Sequence, residues 1–273
     1  MNHHGSKNVK TVALITGASE GIGYELARCF AKDQHDLVLV ARGEERLKSV
    51  AADISAIYGV RVRYIVQDLS VSDGARQIFS EVQKEGVPID FLVNSAGVGT
   101  YGFFAETDIE RELRMMQLNM NAVTILTKLV LPEMLKRHQG RILNVASLAA
   151  FQPGPLMAVY YATKAYVLSF SEALANELQG SGITVSVLCP GPTWSVFQRS
   201  AGMEYSKLFQ HGVMKASDVA EIAYQKFMRG KTTIIPGFRN KLFAMSVRLG
   251  PRKLVPMIVR LLQEPSKEET RPT

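Results

Sequence analysis

The sequence predicts an α/β fold, a doubly wound parallel sheet in three layers with a helical C-terminal extension, and three observations point to it. Short β-branched runs alternate with longer helical patterns almost from end to end. Several of these runs are continuously apolar, as strands buried on both faces are. The connections are short, and strand–helix alternation of this kind joins parallel strands by right-handed crossovers. Strands are expected at Thr11–Thr16, Leu37–Ala41, Val60–Val66, Phe91–Asn94, Arg141–Val145, Ile183–Leu188 and Thr232–Ile235. Helices are expected at Gly23–Lys32, Glu44–Tyr58, Asp73–Gly86, Glu110–Arg137, Val159–Gln179 and Ser217–Met228, the last with Ser217 as its N-cap.

A chain of 273 residues holds one large or two small domains. No Pro/Gly/Ser-rich linker divides it and no repeat of roughly 20–50 residues is present, so one domain over residues 1–263 is expected. The polar tail Glu264–Thr273 is expected to be disordered. Hydrophobic residues make up 47% and charged residues 21%, which excludes disorder as the main state. The two cysteines, Cys29 and Cys189, exclude a secreted disulfide framework and a cysteine-rich zinc site. Met1–Lys10 has no apolar stretch of the export-signal kind, and no run approaches the roughly 20 apolar residues of a membrane span. A soluble cytoplasmic protein is the expectation.

The formal net charge of +7 is local: between Gly237 and Leu262 stand Arg239, Lys241, Arg248, Arg252, Lys253 and Arg260, with no acid among them. So narrow a basic patch argues against nucleic-acid binding. Interleaved with Leu, Phe, Met and Val, it reads as an amphipathic helical pair covering the core or a subunit interface. Docking on a membrane surface or an acidic partner is the alternative, not the favoured reading.

The first strand runs into Thr16-Gly17-Ala18-Ser19-Glu20-Gly21-Ile22-Gly23 and then a helix. Glycines there let the backbone approach a pyrophosphate, and the helix N-terminus offers unpaired N–H groups and the positive end of its dipole. The second strand ends in Val40-Ala41-Arg42-Gly43, with no acid at its tip. An acid would bond ribose hydroxyls and repel a 2′-phosphate, whereas Arg42 would grip that phosphate. NADP(H) is therefore expected rather than NAD(H), which Glu44 and Glu45 keep as the alternative. After the third strand, Asp68-Leu69 is placed for an adenine contact, although an Asp there serves equally as a helix N-cap.

Ser147 closes the fifth strand, and Tyr160 and Lys164 stand four apart on one face of the following helix. Carbonyl reduction needs a proton donor at the acceptor oxygen while a hydride reaches the carbon. A free tyrosine titrates near pH 10, and bringing it to about 7 takes roughly 4 kcal/mol of differential stabilisation of the phenolate. Lys164 and a positively charged oxidised nicotinamide would supply it. A serine hydroxyl can hold the substrate oxygen beside the tyrosine. His3, His4, His35, His138 and His211 have neither triad context nor metal-ligand spacing, so no nucleophilic triad or metal site is expected.

Taken together, TGASEGIG (Thr16–Gly23), Asp68-Leu69, Asn94-Ser95-Ala96-Gly97, Asn119, Ser147, Tyr160-Tyr161-Ala162-Thr163-Lys164 and Pro190-Gly191 resemble, in order, the motifs of the short-chain dehydrogenase/reductase family. The resemblance covers roughly Lys10 to Ile235 and implies a Rossmann-type single-domain oxidoreductase. It implies Tyr160 as general acid in reduction and base in oxidation, and Lys164 as the residue that binds the nicotinamide ribose and lowers the tyrosine pKa. Ser147, thirteen positions before Tyr160, would orient the substrate; Asn119 would hold a water in the proton relay, or else mark a helix kink. Gly17, Ser19, Glu20, Gly21, Ile22, Gly23, Arg42, Asp68, Leu69, Asn94, Ala96 and Gly97 would bind the cofactor, with Pro190 and Gly191 at the nicotinamide. Ser195 or Thr193 would meet the carboxamide. Glu20 departs from the family's NADP-type loop, where a basic residue often precedes the middle glycine.

Specificity is expected in Leu148–Met157, Thr193–Val213 and the C-terminal stretch. Their apolar members Phe151, Met157, Trp194, Phe197, Met203, Tyr205 and Phe209 suggest a ketone or aldehyde with a hydrophobic body. The alternative is a small polar pocket under an apolar lid. The resemblance further implies a homodimer or homotetramer built on the helices of Glu110–Arg137 and Val159–Gln179. A reading of another class, a dinucleotide-binding sensor or scaffold without turnover, is disfavoured by the intact Asn119, Ser147, Tyr160 and Lys164.

Overall fold

A computed structural model describes residues 10–194, 197–203, 206–207, 212–249 and 251–264, without the side chains of residues 199, 200, 248 and 249. The first half runs β1 (Val12–Thr16), α1 (Gly21–Lys32), β2 (Asp36–Ala41), α2 (Glu44–Tyr58), β3 (Val62–Val66), α3 (Gly74–Lys84), β4 (Phe91–Asn94), α4 (Ile109–Met116), a π-helical turn (Gln117–Ala122) and α5 (Val123–Arg137). The second half runs β5 (Gly140–Val145), a 3₁₀ turn (Leu148–Phe151), α6 (Ala158–Glu177), β6 (Ile183–Leu188), β7 (Thr193–Trp194), α7 (Phe197–Ala201), β8 (Met214–Lys215), α8 (Ala216–Met228), β9 (Thr233–Ile234), α9 (Phe238–Leu249) and α10 (Leu254–Gln263).

Seven strands form one sheet in the order β3-β2-β1-β4-β5-β6-β9, every pairing parallel. The chain winds outward from β1 to β3, returns beside β1 as β4 and winds the other way. Strand order therefore reverses between β1 and β4, and the crevice beyond the carboxyl ends of these strands is where sheets of this topology take ligands. β7 and β8 pair as a separate short ribbon.

The continuous apolar runs are explained by two cores, one on each face of the sheet. On one face Ala13, Ile15, Leu37 and Leu39 meet α1, α2 and α8. Phe30 of α1 is fully buried there, its ring centroid 5.2 Å from Phe91 and 4.9 Å from Tyr224. On the other face Leu14, Val38, Leu92 and Ile142 meet Ile78 of α3 and Leu126, Val130 and Met134 of α5.

The expected strands and helices agree with these elements to within two residues at each end, with two exceptions. Glu110–Arg137 is not one regular helix: the π-helical turn widens it around Asn119. Ser217 is not the N-cap of α8; Lys215 holds that position, and the Ser217 hydroxyl, already in the first turn, donates to the Asp218 carboxylate at 3.4 Å. On α4 and α5, Leu113 and Leu135 face outward, while Leu131 packs against the core. The C-terminal stretch forms a helical pair, α9 and α10, as expected.

Candidate active site

After β1 the chain passes through Gly17 at φ +65° and Gly21 at φ +59°. A Cβ on Gly17 would lie 2.8 Å from the Cα of Ala96, so the loops after β1 and β4 touch backbone to backbone. A Cβ on Gly23 would lie 2.2 Å from the carbonyl oxygen of Gly17, which closes the turn tightly onto α1. The Thr16 hydroxyl locks the two loops by accepting from the N–H groups of Ser95 and Ala96, each at 3.1 Å. Glu20 caps α1 in extended conformation without a side-chain bond to the first turn. The first-turn N–H groups, on the cleft-lining residues Gly21, Ile22 and Gly23, are thus left without a carboxylate of the cap.

These loops line one end of a cleft of about 760 Å³. Arg42, exposed at the end of β2, lines it together with Ser19, Glu20, Asp68 and Leu69. Glu44 and Glu45 do not. Arg46, which sequence reasoning did not single out, lines it too, and its Nε donates to the Ser19 carbonyl at 3.4 Å. The signal was present: Arg46 stands one helical turn beyond Arg42, at the start of α2. Asp68 is not the cap of α3, a position held by Asp73. It organises its own turn, accepting from the Ser70 N–H at 2.8 Å and hydroxyl at 2.7 Å.

At the other end stand Ser147, Tyr160 and Lys164. Lys164 is buried and donates through Nζ to the Val145 carbonyl at 3.0 Å; the same nitrogen lies 5.8 Å from the centroid of the Tyr160 ring. Burial lowers the Lys164 pKa to about 8. Ser147 caps the 3₁₀ turn, accepting from Ala149 N–H at 3.1 Å, and hydrogen-bonds the Tyr160 hydroxyl. Tyr160 is 7% exposed. Burial pushes its phenol well above the ordinary tyrosine range, and the bond from Ser147 only partly offsets that. Desolvation therefore dominates the phenol, and the lowering expected from Lys164 does not act on it here.

Asn119 does not line the cleft. The π-helical turn carries it behind Gly97, where its amide donates to the Val98 carbonyl at 2.9 Å and the Thr163 hydroxyl at 3.1 Å, while its Oδ1 accepts from Val98 N–H at 3.1 Å. A Cβ on Gly97 would come within 3.2 Å of Lys164 Nζ and 3.3 Å of Asn119 Oδ1. Of the two expectations for Asn119, the helix kink is what the π-helical turn displays, with the side-chain amide engaged by Val98 and Thr163. Asn94 is placed differently from its expectation. It is 2% exposed and lies beneath the cleft rather than on it, donating to Thr127 at 3.2 Å and Asn144 at 2.8 Å. At the last residue of a central strand its side chain meets α5 and β5, not open space.

Pro190, Gly191 and Thr193 line the cleft beside the lysine. The Thr193 hydroxyl donates to Gly191 O at 2.9 Å; Ser195 lies outside the described residues. Of the expected apolar side chains, Met157, Phe197 and Met203 form the inner wall, with the Phe197 ring 5.4 Å from that of Tyr160. Phe151 instead packs in a small core with Ala146 and Val167. Trp194 is 59% exposed and off the cleft. Tyr205 and Phe209, like residues 265–273, lie outside the described residues. Three further wall residues, Phe243 of α9 and Val259 and Leu262 of α10, come from the C-terminal pair. Gln263 anchors that pair: it is fully buried, donates to the Tyr161 hydroxyl, and its carbonyl accepts from the Tyr101 hydroxyl at 3.0 Å. The C-terminal stretch was expected among the specificity segments; which of its residues face the cleft was not, because an amphipathic pattern does not say which surface a terminal helix will cover.

A glycine-rich βα turn at the switch point of a parallel sheet, with a buried Tyr–Lys pair across the same cleft, places the fold in the dinucleotide-binding α/β class. The chain belongs to the short chain dehydrogenase family, whose sequence profile matches residues 11–205, and the family binds nicotinamide dinucleotides. Among curated relatives, a very-long-chain 3-oxoacyl-CoA reductase of Anas platyrhynchos is 37% identical over 65% of this chain and 58% of its own length. The ketoacyl reductase HetN of Nostoc sp. is 36% identical over 67% of this chain and 63% of its own length. The chain thus spans about three fifths of the length of the curated relatives it matches. Among solved structures, a short-chain dehydrogenase from Sphingobium yanoikuyae in complex with NADPH superposes with a TM-score of 0.79 at 32% identity, covering 93% of this chain and 98% of its own. A bulky-bulky ketone specific alcohol dehydrogenase from Comamonas testosteroni gives 0.75 at 28% identity, over 96% of this chain and 99% of its own.

Proposed function

We propose that the protein is an NADP(H)-dependent carbonyl reductase, or alcohol dehydrogenase in the reverse direction, acting on a ketone or aldehyde with a hydrophobic body. The observation that carries this reading is the buried Tyr160, bonded to Ser147 and flanked by Lys164, at one end of a cleft whose other end holds two arginines. The nicotinamide, when bound, would supply or accept the hydride. The residues present fit such a group. Gly17 and Gly23 leave room for close backbone approach, the N-terminus of α1 suits a pyrophosphate, and Arg42 and Arg46 suit a 2′-phosphate. Asp68 and Leu69 would hold the adenine, Lys164 the ribose, and Pro190, Gly191 and Thr193 the carboxamide side.

Tyr160 then donates its proton to the carbonyl oxygen in reduction and takes one back in oxidation, while Ser147 holds that oxygen in place. A desolvated, protonated phenol suits the first role directly. Donating the proton leaves a phenolate and taking one back starts from a phenolate, so both directions draw on the positive charge of the Lys164 ammonium beside it. Asn119 fixes the Val98 loop behind the lysine and would hold a water of the relay.

The preference for NADP(H) is supported by Arg42 and Arg46 lining the cleft where Glu44 and Glu45 do not. It is also supported by the NADPH bound in the Sphingobium enzyme. The hydrophobic substrate is supported by the wall of Met157, Phe197, Met203, Phe243, Val259 and Leu262. Initial rates with NADPH and NADH across a panel of bulky and short polar carbonyls test the reading. Turnover of bulky ketones with NADPH is expected. Comparable rates on short polar ketones alone would remove the hydrophobic substrate, and dinucleotide binding without turnover of any carbonyl would leave a sensor.

A further inference from the structure

The second C-terminal helix has two faces. Val259 and Gln263 of α10 are buried, whereas Leu254, Met257, Ile258 and Leu261 are between 49% and 63% exposed. Their spacing of three, four and seven residues makes one continuous stripe. On α9, Phe238, Leu242 and Met245 are 59–81% exposed while Ala244 is buried. Phe103, half exposed, lies 5.4 Å from the Arg260 guanidinium and brings the loop after β4 alongside. Single exposed apolar residues are ordinary on a protein surface; a stripe on each of two consecutive helices marks an interaction face.

Charge selects what covers it. Arg239, Lys241, Arg252, Lys253 and Arg260 are exposed among these side chains, and no acid occurs between Gly237 and Leu262. Burial, and then the nearby Lys241 ammonium, lower the pKa of Lys226 on α8. Glu264 is engaged by Arg260 at 3.5 Å. Two copies of this face would bring like charges together, which opposes self-association. An anionic leaflet fits both components, its acyl boundary taking the stripe and its headgroups the lysines and arginines. Among the described residues no helix is long and apolar enough to cross a membrane, so the contact this face can make is interfacial.

We propose that α9 and α10 dock the protein on an anionic lipid surface. Leu262 belongs both to the cleft wall and to the outer surface, where it is 38% exposed, so docking sets the cleft beside the lipid. Delivery of an apolar carbonyl by this route rests on the activity proposed above; the docking does not.

Co-sedimentation of the full chain with phosphatidylcholine vesicles, with and without phosphatidylglycerol, tests it independently of turnover. Binding is expected to the anionic vesicles, weakened by high salt. The double variant Lys241→Gln/Lys253→Gln is expected to lower partitioning roughly 25-fold. Met257→Ser/Leu261→Ser should lower it as well, while NADPH binding stays unchanged because none of these four residues lines the cleft. Equal partitioning onto neutral and anionic vesicles, none onto either, or variants that bind as wild type would overturn the proposal. A monomer–dimer equilibrium abolished by Met257→Ser/Leu261→Ser, without vesicle binding, would give the face to a second copy.

Discussion

The two ends of the cleft are made of different material. The dinucleotide end is largely backbone: two loops pressed together at Gly17 and Ala96, locked by the Thr16 hydroxyl and set on a sheet with apolar cores on both faces. The substrate end is a wall of side chains from the 3₁₀-turn segment, α7, α9 and α10, which meet only in the folded chain. The first tolerates little change, since a single added methyl group would strike backbone. The second can be re-cut residue by residue without disturbing the strands.

The largest effect that would break this contrast lies behind the rigid end. Phe30→Ala should cost about 3–5 kcal/mol in urea denaturation, since the ring is fully buried against the rings of His35, Phe91, Tyr224 and Phe227. A loss below about 1 kcal/mol would show that this core collapses around the gap and is no stiff support. Next, Arg42→Ala/Arg46→Ala should raise KM for NADPH roughly 10–100-fold with KM for NADH nearly unchanged, the scale of lost charged hydrogen bonds. Equal effects on both cofactors would assign the arginines to the shared pyrophosphate.

A pH profile sharpens the chemistry between the two ends. Burial lowers the Lys164 pKa to about 8 from its usual 10.5, so its positive charge is present below that pH and lost above it. Because kcat/KM reports the free enzyme, reduction should fall about tenfold per unit above about pH 8. Lys164→Met should remove that limb, and a profile level to pH 10 would detach the lysine from the reaction. The smallest effects belong to the adaptable end. Phe243→Ala and Leu262→Ala should each raise KM for bulky ketones roughly fivefold, about 1 kcal/mol, and leave KM for NADPH unchanged.

What the sequence disclosed follows the same division. Continuous β-branched runs announced the buried strands, and the glycine-rich turn announced the loop after β1, because backbone geometry there permits few residues. Tyr160 and Lys164 were legible as a helical i, i+4 pair. The side-chain direction of Asn94 was not legible, because a motif gives the position of an amide but not its direction, and here it turns down into the core. The inner wall was half legible. Met157, Phe197 and Met203 were foreseen by residue, whereas the C-terminal stretch was foreseen only as a segment, since the choice of Phe243, Val259 and Leu262 depends on how two terminal helices fold back. Phe151 and Trp194 show the converse, apolar residues in the right segments that point elsewhere.

The central claim is that the Tyr160 hydroxyl carries the proton and does little else. The direct measurement is Tyr160→Phe in a single-turnover experiment, following NADPH fluorescence on binding and its absorbance on reaction with a bulky ketone. The expected result is NADPH affinity within about twofold of wild type and a hydride-transfer rate lowered by roughly 10²–10⁴-fold, the scale of a lost general acid. A phenylalanine variant that turns over at the wild-type rate would contradict it.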